Sequence, residues 1–346
     1  MKARGFLWIV SVILMSAIFA VTGIWSASPV KAETINLTYA NFPPAPTFPC
    51  VQMEEWKKLV EKRTNGKVKI KTFPGGSLIK AKPMFDEVSK GVADIGCLAT
   101  SYSPGRFPIC EVMEMPFMYP SGAVASAVMW DLVKKHNPKS FKDVKIITVF
   151  TCATAQILSS KPVKKLADLK GLKLRTTGFG RKTMDILGAS AIPMPQSRVP
   201  ENLQKGVLQG NVTSMEVLKD MKLFEYCPNT TMTNIWVIPF AVVMNKKKWE
   251  SLPDDVKKVI DDMSRDHAIW TGKYVDKHAQ DVKKWCIENK KVEFTDLTKE
   301  QKADWEKRVA SVVEDYLKAM KKKSLPGDAV LKDAKELTAK NAKELK

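Results

Sequence analysis

Ile35-Asn36-Leu37-Thr38-Tyr39 alternates apolar and polar side chains as a half-buried strand does, and the segments downstream of it set the fold. The proline-rich loop Asn41-Phe42-Pro43-Pro44-Ala45-Pro46 comes next. Met53, Trp56 and Val60 then recur at helical spacing up to the turn signal Asn65-Gly66. Val68 and Ile70 alternate with Lys67, Lys69 and Lys71, which predicts a second strand with one wet face. After Pro74-Gly75-Gly76, Phe85, Val88 and Val92 mark one face of a second helix, and Ile95 to Leu98 is a short apolar strand. Strand, helix, strand, helix, strand is the alternation of a parallel α/β sheet.

Upstream of this alternation, Lys2 and Arg4 precede an apolar run from Phe6 to Trp25, and small residues lead to Val30-Lys31-Ala32. This is the layout of a secretory signal peptide, with cleavage expected after Ala32. The run approaches bilayer-spanning length, so an uncleaved anchor is the competing reading. Residues 1–32 removed, about 314 of the 346 residues remain, enough for two lobes. No later run is long and apolar enough to span a membrane, which predicts a soluble mature protein in the periplasm.

The formal charge is +19, of which Lys2, Arg4 and Lys31 carry three, leaving +16. A basic exported chain favours acidic solutes, anionic headgroups or nucleic acid. Only eight of the 56 basic residues are arginines, and the lysines are scattered without interleaved aromatics. That pattern argues for a solvated surface and against nucleic acid. The six cysteines show no C-x-x-C, and His136, His267 and His278 have no cysteine at zinc-ligand spacing. One or two disulfides and six buried thiols both fit.

Further along, helices are expected around 123–135, 182–187 and 199–207, the last with Val199, Leu203 and Val207 on one stripe. Strands are expected over Val144–Phe150 and Leu172–Arg175. Ile235 to Met244 reads as a long strand interrupted by Pro239, suited to a crossing between lobes. Long helices follow, one from Asp254 and another carrying Trp305, Val309, Val312, Tyr316 and Met320. The lysine-rich end after Pro326 reads as a surface helix with a frayed tail.

Catalytic signatures are missing: there is no G-x-S-x-G and no H-E-x-x-H. Gly180-Arg181-Lys182-Thr183 has arginine where a phosphate-binding loop needs lysine. Asp254-Asp255 and Asp261-Asp262 fall on amphipathic helix surface. Neither a catalytic residue, a cofactor nor a metal is expected.

The segment Asp168-Leu169-Lys170-Gly171-Leu172-Lys173-Leu174-Arg175 is more informative. With Leu187-Gly188-Ala189, Pro193-Met194, Leu203-Gln204-Lys205-Gly206-Val207-Leu208-Gln209-Gly210 and Leu252-Pro253-Asp254-Asp255-Val256, it resembles the DctP family in order and register. These are the extracytoplasmic solute receptors of tripartite ATP-independent periplasmic (TRAP) transporters. Thr64-Asn65-Gly66-Lys67-Val68 and Gly91-Val92-Ala93-Asp94-Ile95 extend the likeness over nearly the whole mature chain. The resemblance implies a two-lobed periplasmic-binding fold of α/β class, with a cleft, crossing hinge strands and long C-terminal helices. Lobe I is expected at 33–152 plus 239–278, and lobe II at 153–238 plus 279–346. It also implies that Arg175 clamps a ligand carboxylate, and that small DctQ-like and large DctM-like membrane subunits receive the cargo. Arginine suits that role, because its planar fork makes two parallel hydrogen bonds to a carboxylate. Closing on a neutral solute would strand a buried charge.

Departures from the family pattern narrow the ligand. Where sugar-acid binders carry a second arginine this chain has Ala155, Gln209 stands where aspartate is frequent, and Thr213 where asparagine is frequent. Phe42, Tyr102, Phe179, Met215 and Trp236 are apolar or aromatic lining candidates, with core packing as the competing reading. Asn41, Gln156, Gln196, Thr213 and Asn234 are the polar ones. Together they suggest a monocarboxylate with an apolar or aromatic body. A receptor of similar shape serving an ATP-driven importer or a sensor kinase is the alternative.

Overall fold

The computed structural model describes residues 34–345; the leader and its expected cleavage after Ala32 lie outside them. The strands in chain order are β1 (Ile35–Asn41), β2 (Val68–Phe73), β3 (Ile95–Ala99), β4 (Val144–Thr151), β5 (Gln156–Ser159), β6 (Lys173–Thr176), β7 (Ser190–Pro193), β8 (Gly210–Thr213), β9 (Asn229–Met232), β10 (Pro239–Asn245) and β11 (Glu293–Asp296). They form a five-stranded sheet, β2-β1-β3-β10-β4, and a six-stranded sheet, β11-β9-β5-β8-β6-β7. Strand β1 pairs in parallel with β2 and β3, as the opening alternation requires. Strand β10 returns antiparallel between β3 and β4.

Thr151 to Ala155 and Ile235 to Ile238 run side by side between the sheets. Ala155 N–H donates to Trp236 O at 2.7 Å, Ile235 N–H to Ala155 O at 3.0 Å and Cys152 N–H to Ile238 O at 3.1 Å. Pro239 therefore does not interrupt a strand; it opens β10, a position where its missing N–H costs least. The helix Asp254–Asn289 is continuous over 36 residues, about 54 Å at 1.5 Å per residue. Asp254 and Asp255 lie in its first turn, where negative charge complements the helix dipole. From this helix Asp276 accepts the Gly122 and Ala123 N–H groups, both at 2.8 Å. It thereby satisfies the start of the helix Gly122–His136.

Three expectations need correction. Val92 and Val207 are 48% and 44% exposed, because their helices stop first, at Lys90 and Gln204. Gly91 and Gly206 then turn the chain at positive φ. The stretch carrying Trp305 to Met320 is two helices, Lys299–Arg308 and Ser311–Lys322, though those side chains still bury together. The end after Pro326 is not a loose surface helix. Gly327–Glu344 buries Val330, Leu331 and Ala334, and Asp333 binds Lys135 and His136, each at 2.8 Å.

All six cysteines are free and buried, which decides between the two readings of their spacing. Among the described residues no helix is long and apolar enough to cross a membrane.

Candidate functional site

Asp168 closes the turn before β6 by accepting the Lys164 and Lys165 N–H groups at 2.8 and 3.0 Å. Gly171 takes the left-handed φ of 70° that the turn requires. Beyond it the strand alternates: Leu174 enters the core and Arg175 faces the other way. Gly210 pairs with Leu174 across β8. A Cβ there would lie 2.4 Å from Leu158 O and 2.6 Å from a Leu174 methyl, so only glycine allows β8 this close.

Arg175 is fully buried, yet every protein acceptor it meets is neutral. Nε donates to Met194 O at 2.8 Å and Nη1 to Gln196 Oε1 at 2.7 Å. The remaining two contacts are long: Nη1 to Asn211 Oδ1 and Nη2 to Tyr102 Oη, both 3.3 Å. Tyr102 Oη also accepts the Gln196 N–H at 3.0 Å, and Asn211 Nδ2 donates to Gln196 Oε1 at 3.2 Å. Tyr102 comes from the segment after β3, whereas Arg175, Gln196 and Asn211 come from the other sheet's region.

A cavity adjoins the guanidinium. Of the residues expected in the site, Phe42, Tyr102, Arg175, Gln196 and Thr213 line it. Phe42 stacks on Phe240 with ring centroids 6.3 Å apart and meets Tyr102 edge-on at 5.5 Å. Phe42 and Ser197 also border an outer groove whose other walls include Lys80, Lys82 and Arg198 and no acid.

The other expected residues lie elsewhere. Asn41 spends both ends of its amide locally, donating to Pro49 O at 2.9 Å and accepting Phe42 N–H at 3.0 Å. It fixes the loop that presents Phe42 instead of reaching the cavity. Gln156 and Asn234 bind each other: Gln156 Nε2 donates to Asn234 Oδ1 at 2.7 Å, and Asn234 N–H to Gln156 Oε1 at 2.9 Å. They tie the crossing strands together. Met215 and Trp236 are core side chains, Trp236 resting on Gly180. Phe179 is half-buried just before the helix Gly180–Ile186.

Sequence patterns did not mark Asn211 or two buried acids. Asn211 was within reach, since residues i and i+2 of a strand share a face and Thr213 was already a candidate. Glu216 lines the cavity. Its Oε1 accepts the Ser214 hydroxyl at 2.7 Å. Burial pushes its carboxyl up to about 7 against that hydrogen bond, and the Asp220 carboxylate adds to the rise. Glu114 accepts a very short hydrogen bond from the Thr177 hydroxyl, and burial pushes it up to about 7 as well. Among the described residues no group of histidine, cysteine and acidic side chains is placed to hold a metal ion.

The profile of bacterial extracellular solute-binding protein family 7, DctP, matches residues 43–319. This chain belongs to the DctP family. Solved structures agree with the family assignment. A TRAP periplasmic solute-binding protein from Desulfovibrio salexigens, crystallised open with a symmetry mate's C-terminus in its ligand-binding site, is 45% identical. It superposes at TM-score 0.80, covering 88% of this DctP protein and 96% of that chain. A marine-metagenome TRAP protein specific for aromatic acids, in complex with 3-hydroxybenzoate, is 30% identical at TM-score 0.84, over 89% and 99% of the two chains. One from Rhodoferax ferrireducens with copurified benzoate is 25% identical at TM-score 0.87, over 90% and 100%. The DctP protein thus has the two-lobed receptor fold, and its family serves solute capture outside the cytoplasm.

Proposed function

We propose that this chain is the solute-binding subunit of a TRAP transporter and that it captures an organic acid by its carboxylate on Arg175. The observation that carries the reading is a fully buried guanidinium, hydrogen-bonded only to neutral groups, at the wall of a cavity with both aromatic and polar lining. Glu114 is near enough to feel this charge but accepts no hydrogen bond from it, and a buried guanidinium with no hydrogen-bonded carboxylate calls for an anionic partner. The two 3.3 Å contacts, to Tyr102 and Asn211, are the weakest around it, and we place the incoming carboxylate against this end of the guanidinium. Phe42, Phe48, Ile238 and Phe240 in the walls favour a compact apolar or aromatic body. The benzoate and 3-hydroxybenzoate complexes of similar proteins support that choice.

In this reading the chain performs no chemistry and delivers its cargo to two membrane subunits of the transporter. We place lobe I at 33–152 plus 239–278 and lobe II at 153–238 plus 279–346. Where the two sheets draw their strands supports this division as far as β11; the helix Asp254–Asn289 runs through its last boundary, and Gly327–Glu344 reaches back to the helix Gly122–His136 through Asp333. The leader ends after Ala32, a point that the intact mass of the exported protein tests directly. For the ligand, isothermal titration with benzoate and 3-hydroxybenzoate is the test. Replacing Arg175 by Ala should weaken binding at least about a hundredfold, the usual scale for removing one partner of a buried charge pair. Equal affinity of the Ala variant and the parent would remove Arg175 as the anchor.

A further inference from the structure

Glu216 has no task in holding a carboxylate; an acid in the wall repels one. It is nevertheless 1% exposed and lines the same cavity as Arg175. Its position just before the helix Val217–Asp220 would suit a capping role, but its side chain makes no cap hydrogen bond. Oε1 is taken by the Ser214 hydroxyl, while Oε2 has no hydrogen-bond partner among the described residues. The nearby imidazole is engaged elsewhere, since His278 pairs with Asp220 at 2.9 Å. Native interiors leave few buried carboxyl oxygens unmatched, and one at a cavity wall points to a partner that arrives with the ligand.

We propose that Glu216 reads a hydroxyl group on the body of the ligand, so that the preferred cargo is a hydroxy acid with an apolar or aromatic frame. The inference rests on the carboxylate reading of Arg175. A hydroxyl fits better than the alternatives because it both donates and accepts. It therefore satisfies Oε2 whether Glu216 is ionised or protonated. An ammonium group needs the ionised acid, which burial disfavours. An ether oxygen only accepts. Of the other polar side chains in the wall, Thr47, Gln196 and Ser214 are already engaged, which leaves Ser197 and Thr213 beside Glu216.

The test is a titration series with matched probes: benzoate, its three hydroxy isomers, their methoxy counterparts, and phenylacetate against mandelate. At least one hydroxy acid should bind about tenfold more tightly than its unsubstituted parent, the scale of matching one buried polar group. Its methoxy counterpart should lose that gain. Glu216→Ala should abolish the hydroxyl preference, so that the hydroxy acid and its unsubstituted parent bind that variant within about threefold of each other. Glu216→Gln should keep part of it. Acids that bind through Arg175 with no hydroxyl preference, or a preference that survives in a folded Glu216→Ala protein, overturn the inference and leave the carboxylate reading standing. A panel in which no acid binds overturns both. The comparison of probes on the parent protein needs no variant to fold.

Discussion

The Tyr102 hydroxyl is the acceptor that the first sheet's side offers to Arg175: Nη2 donates to it across 3.3 Å, and the same oxygen takes the Gln196 N–H at 3.0 Å. One phenol thus orients both the guanidinium and the residue beside it. Tyr102→Phe removes the acceptor and keeps the ring against Phe42. It should weaken binding of benzoate or its hydroxy derivatives about tenfold by titration, while shifting the ligand-free melting temperature by only about 2 °C. An unchanged affinity would show that the hydroxyl has no share in positioning Arg175.

Stability should fall as the pH rises from mildly acid to alkaline. Glu114 and Glu216 bind protons more strongly folded, at about 7, than at their ordinary 4.5. Their contribution is complete below pH 4.5 and is lost as pH rises through 7. His278, held above its ordinary value by the hydrogen bond to Asp220, acts in the same direction. His267 has the opposite sign: burial lowers it from 6.5 to about 4, so its contribution is complete above 6.5 and falls away towards 4. Scanning calorimetry should show the melting temperature falling from roughly pH 5 upward, with about 2–4 °C lost between roughly pH 6 and pH 8. Glu216→Gln should reduce the alkaline loss; an identical pH profile would mean that Glu216 ionises freely.

The outer groove carries Lys80, Lys82 and Arg198 with no acid in its walls. Exposed like charges around an entrance raise encounter rates with anions and are screened by salt. Replacing all three with alanine should slow association of an organic acid about threefold to tenfold at low ionic strength. Dissociation should hardly change, and the difference should vanish near 0.5 M salt (roughly three times physiological strength). Stopped-flow fluorescence measures both rates, and a salt-independent association rate in the parent would dismiss the effect.

Each of the six thiols is buried, and burial pushes every one of them above its ordinary value, Cys286 to about 11 and Cys50 to about 12. A thiol reagent at pH 8 should therefore modify fewer than one group per native chain within minutes, and all six Cys after unfolding in guanidinium. A reductant should leave the melting temperature unchanged. A drop on reduction would reveal a disulfide.

Much of this molecule is written in local patterns. The order of elements from Ile35 to Leu98 follows from periodicities of two and of about three and a half, punctuated by Asn65-Gly66 and Pro74-Gly75-Gly76. Arg175 could be singled out only through the resemblance of its turn, because a lone arginine on a basic strand is by itself ordinary. Glu114 and Glu216 left no trace at all. Glu114 ends one short helical turn and Glu216 precedes another, positions where an acid ordinarily faces water, and Glu114 is met by a partner distant in sequence, Thr177. Asn234 and Trp236 misled for the same reason: polar and aromatic residues beside a crossing strand serve the crossing itself.

The nakedness of the Arg175 charge bears on traffic at the membrane. A receptor that shut readily while carrying nothing would occupy its transporter as a decoy, and every such visit would delay a laden one. Sealing a guanidinium with no hydrogen-bonded carboxylate away from water is unfavourable, so under the proposed function the side chain that grips the cargo would also suppress empty arrivals. Arg175 would then govern how often the transporter is engaged to no purpose, as well as what it carries.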